Sequence, residues 1–367
     1  MPPNNSTCDL AQDMRTYVPF ILVLCNHSIL GFISIFLCIK QGYRMHFTYF
    51  HINCKVRSFQ ENLRQMNVAF KILIYFLLFS CVFHAMFHGT IQTYTLLRFL
   101  LVSHSCDVPV TSLLCLAFRV PASISINLNV FFQFSLMIER AYATWSRNDY
   151  EKQCPILSIV LVCFSCCTSS AITLWMAAPE PFDLYYPYCT AATAHTAART
   201  NITIYIMSLV MLPTIIAILI IWQINLRAKR KKDFTLRLTF QVTENLTVIR
   251  LLMPIFIFTS LFYILFILTN YLWANYFNYL PFTIFRTVYA GIYLLPFYTI
   301  GCPLVLAKVV ARSQALRRNK IENLERKEKD APEHYFKAYE AMWNIEPGTG
   351  SSIAAGRKHS KQSTHHS

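Results

Sequence analysis

Charge is scarce in this chain. Asp, Glu, Lys and Arg make up 14% of its 367 residues, too few to clothe a soluble domain of that length. No Asp or Glu lies deep in any of the long apolar runs. That counts against a proton- or sodium-coupled transporter, which needs carboxylates inside the membrane for its coupling ion. No convincing internal repeat is present, which again disfavours a transporter. P-loop, nucleophile-elbow and HExxH motifs are all missing, so the chain offers no complete catalytic set and is not expected to be an enzyme. No cofactor is expected either. The start lacks the form of a cleavable signal peptide. Its first sixteen residues are polar and carry Asp9, Asp13 and Arg15, and the run from Tyr17 is too long for a signal core. That run is expected to persist as a signal anchor.

What the chain has in abundance is apolar sequence, 55% of residues, with 29 Phe and 20 Tyr. It falls in runs long enough to cross a bilayer core about 30 Å thick, which takes roughly 20 helical residues. Within lipid each backbone N–H and C=O must be paired inside its own segment, so the runs must be helices. Seven spans are expected: Tyr17–Ile39, Phe70–Thr90, Val110–Ile138, Pro155–Met176, Ile202–Ile224, Leu251–Trp273 and Pro281–Ala307, the last broken by Pro296 and Pro303. The fold class is therefore an all-α integral membrane protein, a seven-transmembrane helix bundle.

The net charge of +15 does not indicate nucleic acid, because it is not gathered on one basic face. It sits between alternate spans. Segment 40–69 carries Lys40, Arg44, Lys55, Arg57 and Arg64, segment 139–154 carries Arg140, Arg147 and Lys152, and segment 225–250 carries Arg227 to Lys232. Twelve more Lys and Arg follow Ala307, whereas the opposite segments hold only Arg15, Arg98 and Arg199. The positive-inside rule then puts the N-terminus outside and the C-terminus in the cytosol. Residues 1–16 form an extracellular N-terminus, 17–307 the membrane domain, and 308–347 a basic amphipathic tail. The Ser-, Gly- and His-rich end, 348–367, is expected to be disordered.

Several residues stand out by position. Cys106 at the mouth of the third span and Cys189 in the segment 177–201 face the oxidising side, so a disulfide between them is expected. Cys163, Cys166 and Cys167 have a metal-like spacing but lie mid-membrane without a His, so packing explains them better and no metal is expected. His84 and His88, one turn apart, read as a polar pair facing the bundle interior. Arg119 and Arg286 are intramembrane cations toward the outer end, without an evident partner in the spans. Intramembrane charge marks a functional site by default, so the two are candidates to line a pocket for an acidic or strongly hydrogen-bonding ligand. Salt bridges to Asp107, Glu180 or Asp183 from the outer segments are the structural alternative. Glu139-Arg140 ends the third span, where the acid can neutralise the arginine until activation frees it.

A resemblance runs through nearly the whole chain. It is carried by Phe50-His51-x-Asn53, Cys106-Asp107, Arg119-x-Pro121, Glu139-Arg140-x-x-Ala143-Thr144 with Tyr150-Glu151-Lys152, Phe240-Gln241-x-x-Glu244-Asn245, and His334-Tyr335-Phe336 followed by Trp343. In these the chain resembles the nematode serpentine chemoreceptors of the Sra-type superfamily, of class alpha or alpha/beta, with class e an alternative. The resemblance implies a G-protein-coupled receptor of the plasma membrane of sensory neurons or their cilia. Its partners would be a small ligand, a heterotrimeric G protein and the lipid bilayer. Glu139, Arg140 and Glu244 would serve coupling, and Arg119, Arg286, His84 and His88 the ligand. The chain departs from the wider rhodopsin-like pattern at Leu295-Pro296-Phe297-Tyr298 and lacks a Cys-Trp-x-Pro core, so no switch is carried over from it. A ligand-gated channel subunit or small-solute transporter is the alternative function.

Glycosylation sequons test the orientation. Asn4, Asn5 and Asn201 fall outside, whereas Asn245 falls in the cytosol despite its Asn-Leu-Thr sequence. Glycosidase shifts with peptide mass spectrometry should find sugar on Asn4 or Asn5 and none on Asn245. Asn201 lies too near the fifth span for its silence to count, and a glycan on Asn245 would reverse the topology.

Overall fold

A computed structural model describes residues 5–51, 60–146, 150–190, 193–230, 236–277 and 279–312, together with 315, 318, 319 and 322. Chain contacts divide it into a unit Met1–Val310 and a second, Ala311–Ser367. The described residues of the second unit are helical, and most of the 308–347 tail and all of 348–367 lie outside the described residues.

The first unit is built from helices. They are α1 (Asn5–Thr16), α2 (Val18–His51), α3 (Gln60–Leu101), α4 (Ser112–Trp145), α5 (Tyr150–Ala177), α6 (Ala197–Arg230), α7 (Leu236–Tyr276), α8 (Phe282–Gly291) and α9 (295–312, of which 295–310 belong to this unit). Seven stretches are long and apolar enough to cross a membrane: Val18–Met45, Ile74–Leu101, Ser112–Trp145, Ile156–Ala177, Ala197–Arg230, Asn245–Trp273 and Phe282–Arg312. The count agrees with the apolar runs of the sequence. The second span lies further along the chain than expected, ending at Leu101 rather than Thr90. His84 and His88 therefore sit near the middle of that span.

The bundle has the polarity that lipid demands. Phe32 and Leu209 present 65% and 73% of their surface outward, while Asn127, Asn129 and Gln133 of α4 are buried. The interior polar groups join helices. Ser80 Oγ donates to Asn129 Oδ1 at 2.6 Å, Asn127 Nδ2 donates to Thr173 Oγ1 at 2.9 Å, and the Ser135 and Ser165 hydroxyls bond at 2.8 Å. Each such bond contributes only about 0.6 kcal/mol on average in a membrane, but together they set the register of α3, α4 and α5. Glycine does the same by contact between α2 and α3. A Cβ on Gly31 would lie 3.1 Å from Gly89 Cα, so the two backbones touch there.

Prolines break less than expected. The seventh span is interrupted at 292–294, just before Pro296. Pro296 itself sits in the first turn of α9, where a missing N–H costs nothing. Helix continues through Pro303. Pro121, Pro213 and Pro254 also lie inside helices, as neighbouring helices allow in a membrane.

One end of the bundle is covered. The polar segment before the first span is not extended chain. Cys8, Ala11 and Met14, at three-residue spacing, bury one face of α1. Strand β1 (Val110–Thr111) pairs antiparallel with β2 (Tyr185–Tyr186), with Val110 opposite Tyr186. This hairpin-like contact ties the segment after α5 to the start of α4.

The expected Cys106–Cys189 bond is not formed. Cys106 is bonded to Cys8 and Cys189 to Cys115, with Cα separations of 4.6 and 5.4 Å. The cause is where α4 begins. Reading the third span from Val110 places Cys115 within the membrane, but the helix starts at Ser112, so Cys115 occupies its first turn. The β1–β2 register then carries Cys189 to it. Cys106, in the short 3-10 turn Ser105–Asp107, faces α1 instead.

Two independent bonds make a definite prediction. Cys106→Ser and Cys189→Ser should break different bonds, so the double variant should lose surface delivery by roughly the sum of the two effects. Each native disulfide is worth about 2–5 kcal/mol in small secreted domains. Cys8→Ser with Cys106→Ser should cost little more than either alone. Non-reducing peptide maps of surface protein should show Cys8–Cys106 and Cys115–Cys189; a Cys106–Cys189 peptide would contradict the arrangement.

Candidate functional site: ligand cavity and buried ion pair

Beneath the covered end lies a cavity of about 70 Å³. α4 supplies Phe118, Arg119, Ala122 and Ile126, α3 supplies His88, Ile91 and Gln92, and α2 supplies His27. Tyr188, Cys189 and Thr190 close it from above, and Tyr289 and Tyr293 from the side of the seventh span. Its lining is thus mostly apolar with a few polar groups, the usual character of a small-molecule site.

Arg119 is not without a partner. Its Nη2 lies 3.7 Å from Glu180 Oε2 and donates to Thr196 Oγ1 at 3.1 Å, and Nη1 donates to the Thr190 carbonyl at 3.5 Å. Both charged side chains are almost fully buried. Glu180 also accepts from the Tyr186 hydroxyl and from Thr193 Oγ1, each at 2.5 Å. Burial, aided by that bond to Glu180, pushes the Tyr186 phenol up to about 12, so Tyr186 remains a donor at any physiological pH. The acid comes from the segment beyond α5, one of the structural partners the sequence allowed. Arg119 Nε and His88 Nε2 remain buried without a hydrogen-bond partner among the described residues, and both residues line the cavity.

The other expected ligand residues are placed differently. Arg286 does not line the cavity. Its Nη1 donates to Thr190 Oγ1 at 3.3 Å and its guanidinium lies 5.2 Å over the Phe282 ring. His84 sits below His88, its ring stacked at 5.4 Å. Its Nδ1 is 3.2 Å from both Ser125 Oγ and the Ala122 carbonyl, and Nε2 is 3.4 Å from Tyr293 OH. His27, which the sequence reading passed over, lies 5.3 Å from His88. Tyr293 faces all three imidazoles at 4.8–6.1 Å from the non-helical break at 292–294. Polar residues in otherwise apolar runs were the available signal for both. No group of three or more His, Cys, Asp or Glu among the described residues is arranged to hold a metal.

At the opposite end Glu139 and Arg140 form an ion pair with no exposed side-chain surface on either partner. The sequence places this pair at the membrane face; it lies instead inside the bundle. Arg140 Nη1 also donates to Asn245 Oδ1 of α7 at 3.1 Å. Asn245 Nδ2 in turn donates to Thr144 Oγ1 at 2.8 Å and to Asn225 Oδ1 of α6 at 3.3 Å. Asn225 Nδ2 reaches Thr144 Oγ1 at 2.8 Å. Five side chains thus fasten α4, α6 and α7 together. Glu244, Arg147 and Lys152 cannot be placed in this network, because their side chains lie outside the described residues. Asn245, which the sequence marks as a sequon and as the end of the Phe240–Asn245 motif, is one of its central members.

Aromatic groups occupy the space between the two sites. Tyr263 OH of α7 donates to the Ile126 carbonyl at 2.8 Å, one of the cavity's own residues. Tyr263 packs edge-on against Tyr298 at 5.7 Å, and Tyr298 stacks on Phe258 at 5.9 Å. Tyr263 and Tyr298 are fully buried.

Comparison with known proteins agrees with this architecture. The profile of the serpentine type 7TM GPCR receptor class ab chemoreceptors matches residues 5–344. Serpentine receptor class beta-17 of Caenorhabditis elegans is 23% identical over 86% of this chain and 84% of its own length. Serpentine receptor class alpha-10 of the same organism is 26% identical over 74% of this chain and 82% of its own. Serpentine receptor class alpha-1, also from C. elegans, is 23% identical over 67% and 74%. The chain belongs to the serpentine seven-transmembrane chemoreceptors of class ab, within the G-protein-coupled receptors.

Proposed function

We propose that this chemoreceptor binds a small neutral ligand in the cavity near its disulfides and signals to a heterotrimeric G protein from the end that holds Glu139 and Arg140. The disulfide end then faces outside, where thiols oxidise, and the basic segments face the cytosol, as the Lys and Arg asymmetry requires. The plasma membrane of sensory cells is the corresponding location. Because Glu180 already neutralises Arg119, the site favours a hydrogen-bond acceptor without net charge over the acid that bare arginines would select. A volume of about 70 Å³ lies below the ~300–1,000 Å³ of sites for drug-sized ligands, which suits a compact molecule.

The observation that carries this reading is the bond from Arg140 to Asn245. An ion pair between neighbours on one helix holds nothing together by itself. Sharing Arg140 with α7 makes it a latch between α4 and α7, and Asn225 extends the latch to α6. A G protein binding at this end needs those helices to part. Ligand contacts at Ile126 and Tyr293 bear on Tyr263 and on the break before α9, so occupancy of the cavity can bias the bundle between a latched and an open arrangement.

Variants at the latch separate this from a structural role. Arg140→Ala strands the buried Glu139 charge, a loss of about 3–5 kcal/mol that threatens folding, so Asn245→Ala is the cleaner probe. It removes the bond from Arg140 together with those to Thr144 and Asn225; the Arg140 bond alone is worth about 0.5–1.5 kcal/mol, and its loss should raise basal second-messenger output per surface receptor roughly two- to ten-fold. Glu139→Gln should also raise it, and Arg140→Ala should reach the membrane in reduced amount and not signal. Unchanged output per surface receptor in Asn245→Ala and Glu139→Gln would remove the latch, and ligand-evoked current in cells without G proteins would favour a channel.

A further inference from the structure

A second, larger cavity lies outside the bundle core. It is a partly open groove of about 440 Å³ between α6 and α7. Of its lining, Tyr205, Leu212, Leu268 and Tyr271 are each between 48% and 59% exposed. The volume falls within the ~300–1,000 Å³ of small-molecule sites. The groove is distinct from the receptor cavity, and the two share no lining residue.

Its chemistry changes with depth. Asn201 stands in the first turns of α6, and Ile215 lies fourteen residues further along. At 1.5 Å per residue that is about 21 Å, from the membrane surface to near its centre. α7 runs the other way, with Tyr271 close to the end of its span at Trp273 and Ile264 deeper. Asn201, Tyr205 and Tyr271 therefore collect at the surface end. Met211, Leu212, Ile215, Ile264 and Ile267 form the deep part. Ser208 does not interrupt that gradient, because its hydroxyl is spent on the Ile204 carbonyl at 2.9 Å.

We propose that this groove binds one sterol-class lipid, with its hydroxyl among Asn201, Tyr205 and Tyr271 and its ring system against the deep aliphatic wall. A hydroxyl needs only hydrogen-bond partners, which an amide and two phenols supply. A phospholipid headgroup would need a cation, and among the described residues no charged one lines the groove. Arg199, two residues before Asn201, is committed elsewhere: it donates to the Trp175 carbonyl at 2.7 Å and lies 5.1 Å over the Trp175 ring. A rigid ring system also loses less freedom on binding than a flexible acyl chain. Arg199, Tyr205 and Leu209 stand in the order and spacing of a short motif proposed for sterol contact, a pattern too common to argue alone.

The full-length receptor, purified into phosphatidylcholine nanodiscs with a diazirine-bearing sterol, tests the site. Photolysis and peptide mapping should place label mainly in residues 197–215 and 261–273. Excess unlabelled sterol should displace it, and an equal amount of a single-chain alcohol should not. Ser208→Phe, which fills the groove from a half-buried position, should lower labelling about ten-fold, equivalent to 1.4 kcal/mol. Label spread evenly over the outer faces of all seven spans would overturn the proposal. So would equal displacement by the alcohol, which would make the groove a generic acyl-chain contact. Because the displacement arms use the unmutated receptor, they decide the matter even if Ser208→Phe folds poorly.

Discussion

A bilayer offers no water to a stranded polar group, and the buried arginines of this receptor are charges that the protein itself has had to match. Arg140 is the extreme case. A guanidinium with no exposed surface can persist only if its charge is matched and its donors are used. Glu139 matches the charge, and Asn245 takes a donor from another helix. The same rule governs Arg119, which brings Glu180 down from the segment after α5 and so draws that segment over the cavity. Satisfying two arginines thus shapes both ends of the bundle.

The two ends nevertheless do different things with the same rule. At the covered end the cation is held by a carboxylate, a hydroxyl and a carbonyl from one continuous segment, and two disulfides fix what lies above it. That end is built to be rigid, as a site with a preorganised ligand shape should be. At the other end the arginine is divided between its own helix and α7, and among the described residues no disulfide crosses there. A bond shared between helices is where a two-state element can be biased by a few kcal/mol. Between them, Tyr263 and Tyr298 bury two phenols whose partners are a cavity-lining carbonyl and Thr259. Their rings lie 5.7 Å apart, fully buried between the two sites, so on the proposed mechanism a shift at Ile126 would reach the latch through them.

The membrane architecture was plain in the sequence because lipid imposes a long-range, one-dimensional signal: apolar runs of fixed length alternate with basic segments. Glu139-Arg140 was legible for a similar reason, as an adjacent pair at the end of the third span. What the sequence could not show was partnership across the bundle. Glu180 follows Arg119 by more than a whole span, and nothing local marks it above Asp107 or Asp183. Cys115 lies inside an apolar run, so nothing in the sequence marked it above Cys106 as the partner of Cys189. α1 carried a readable period in Cys8, Ala11 and Met14, obscured by the polar residues around it. His27, Tyr293 and Asn225 are polar residues of apolar spans with no motif to mark them, and only three-dimensional packing distinguishes a member of a network from a solitary helix-facing group.

The central claim is that Glu139 and Asn245 act through one arginine. A double-mutant cycle on basal second-messenger output, per surface receptor, measures this directly. Glu139→Gln, Asn245→Ala and the double variant would be compared with the unmodified chain under identical expression. If both residues restrain Arg140, releasing it once should leave little for the second change to add, and the double variant should signal about as strongly as the stronger single one. Independent, multiplying effects of the two changes would contradict the latch, because residues that share no partner add in free energy.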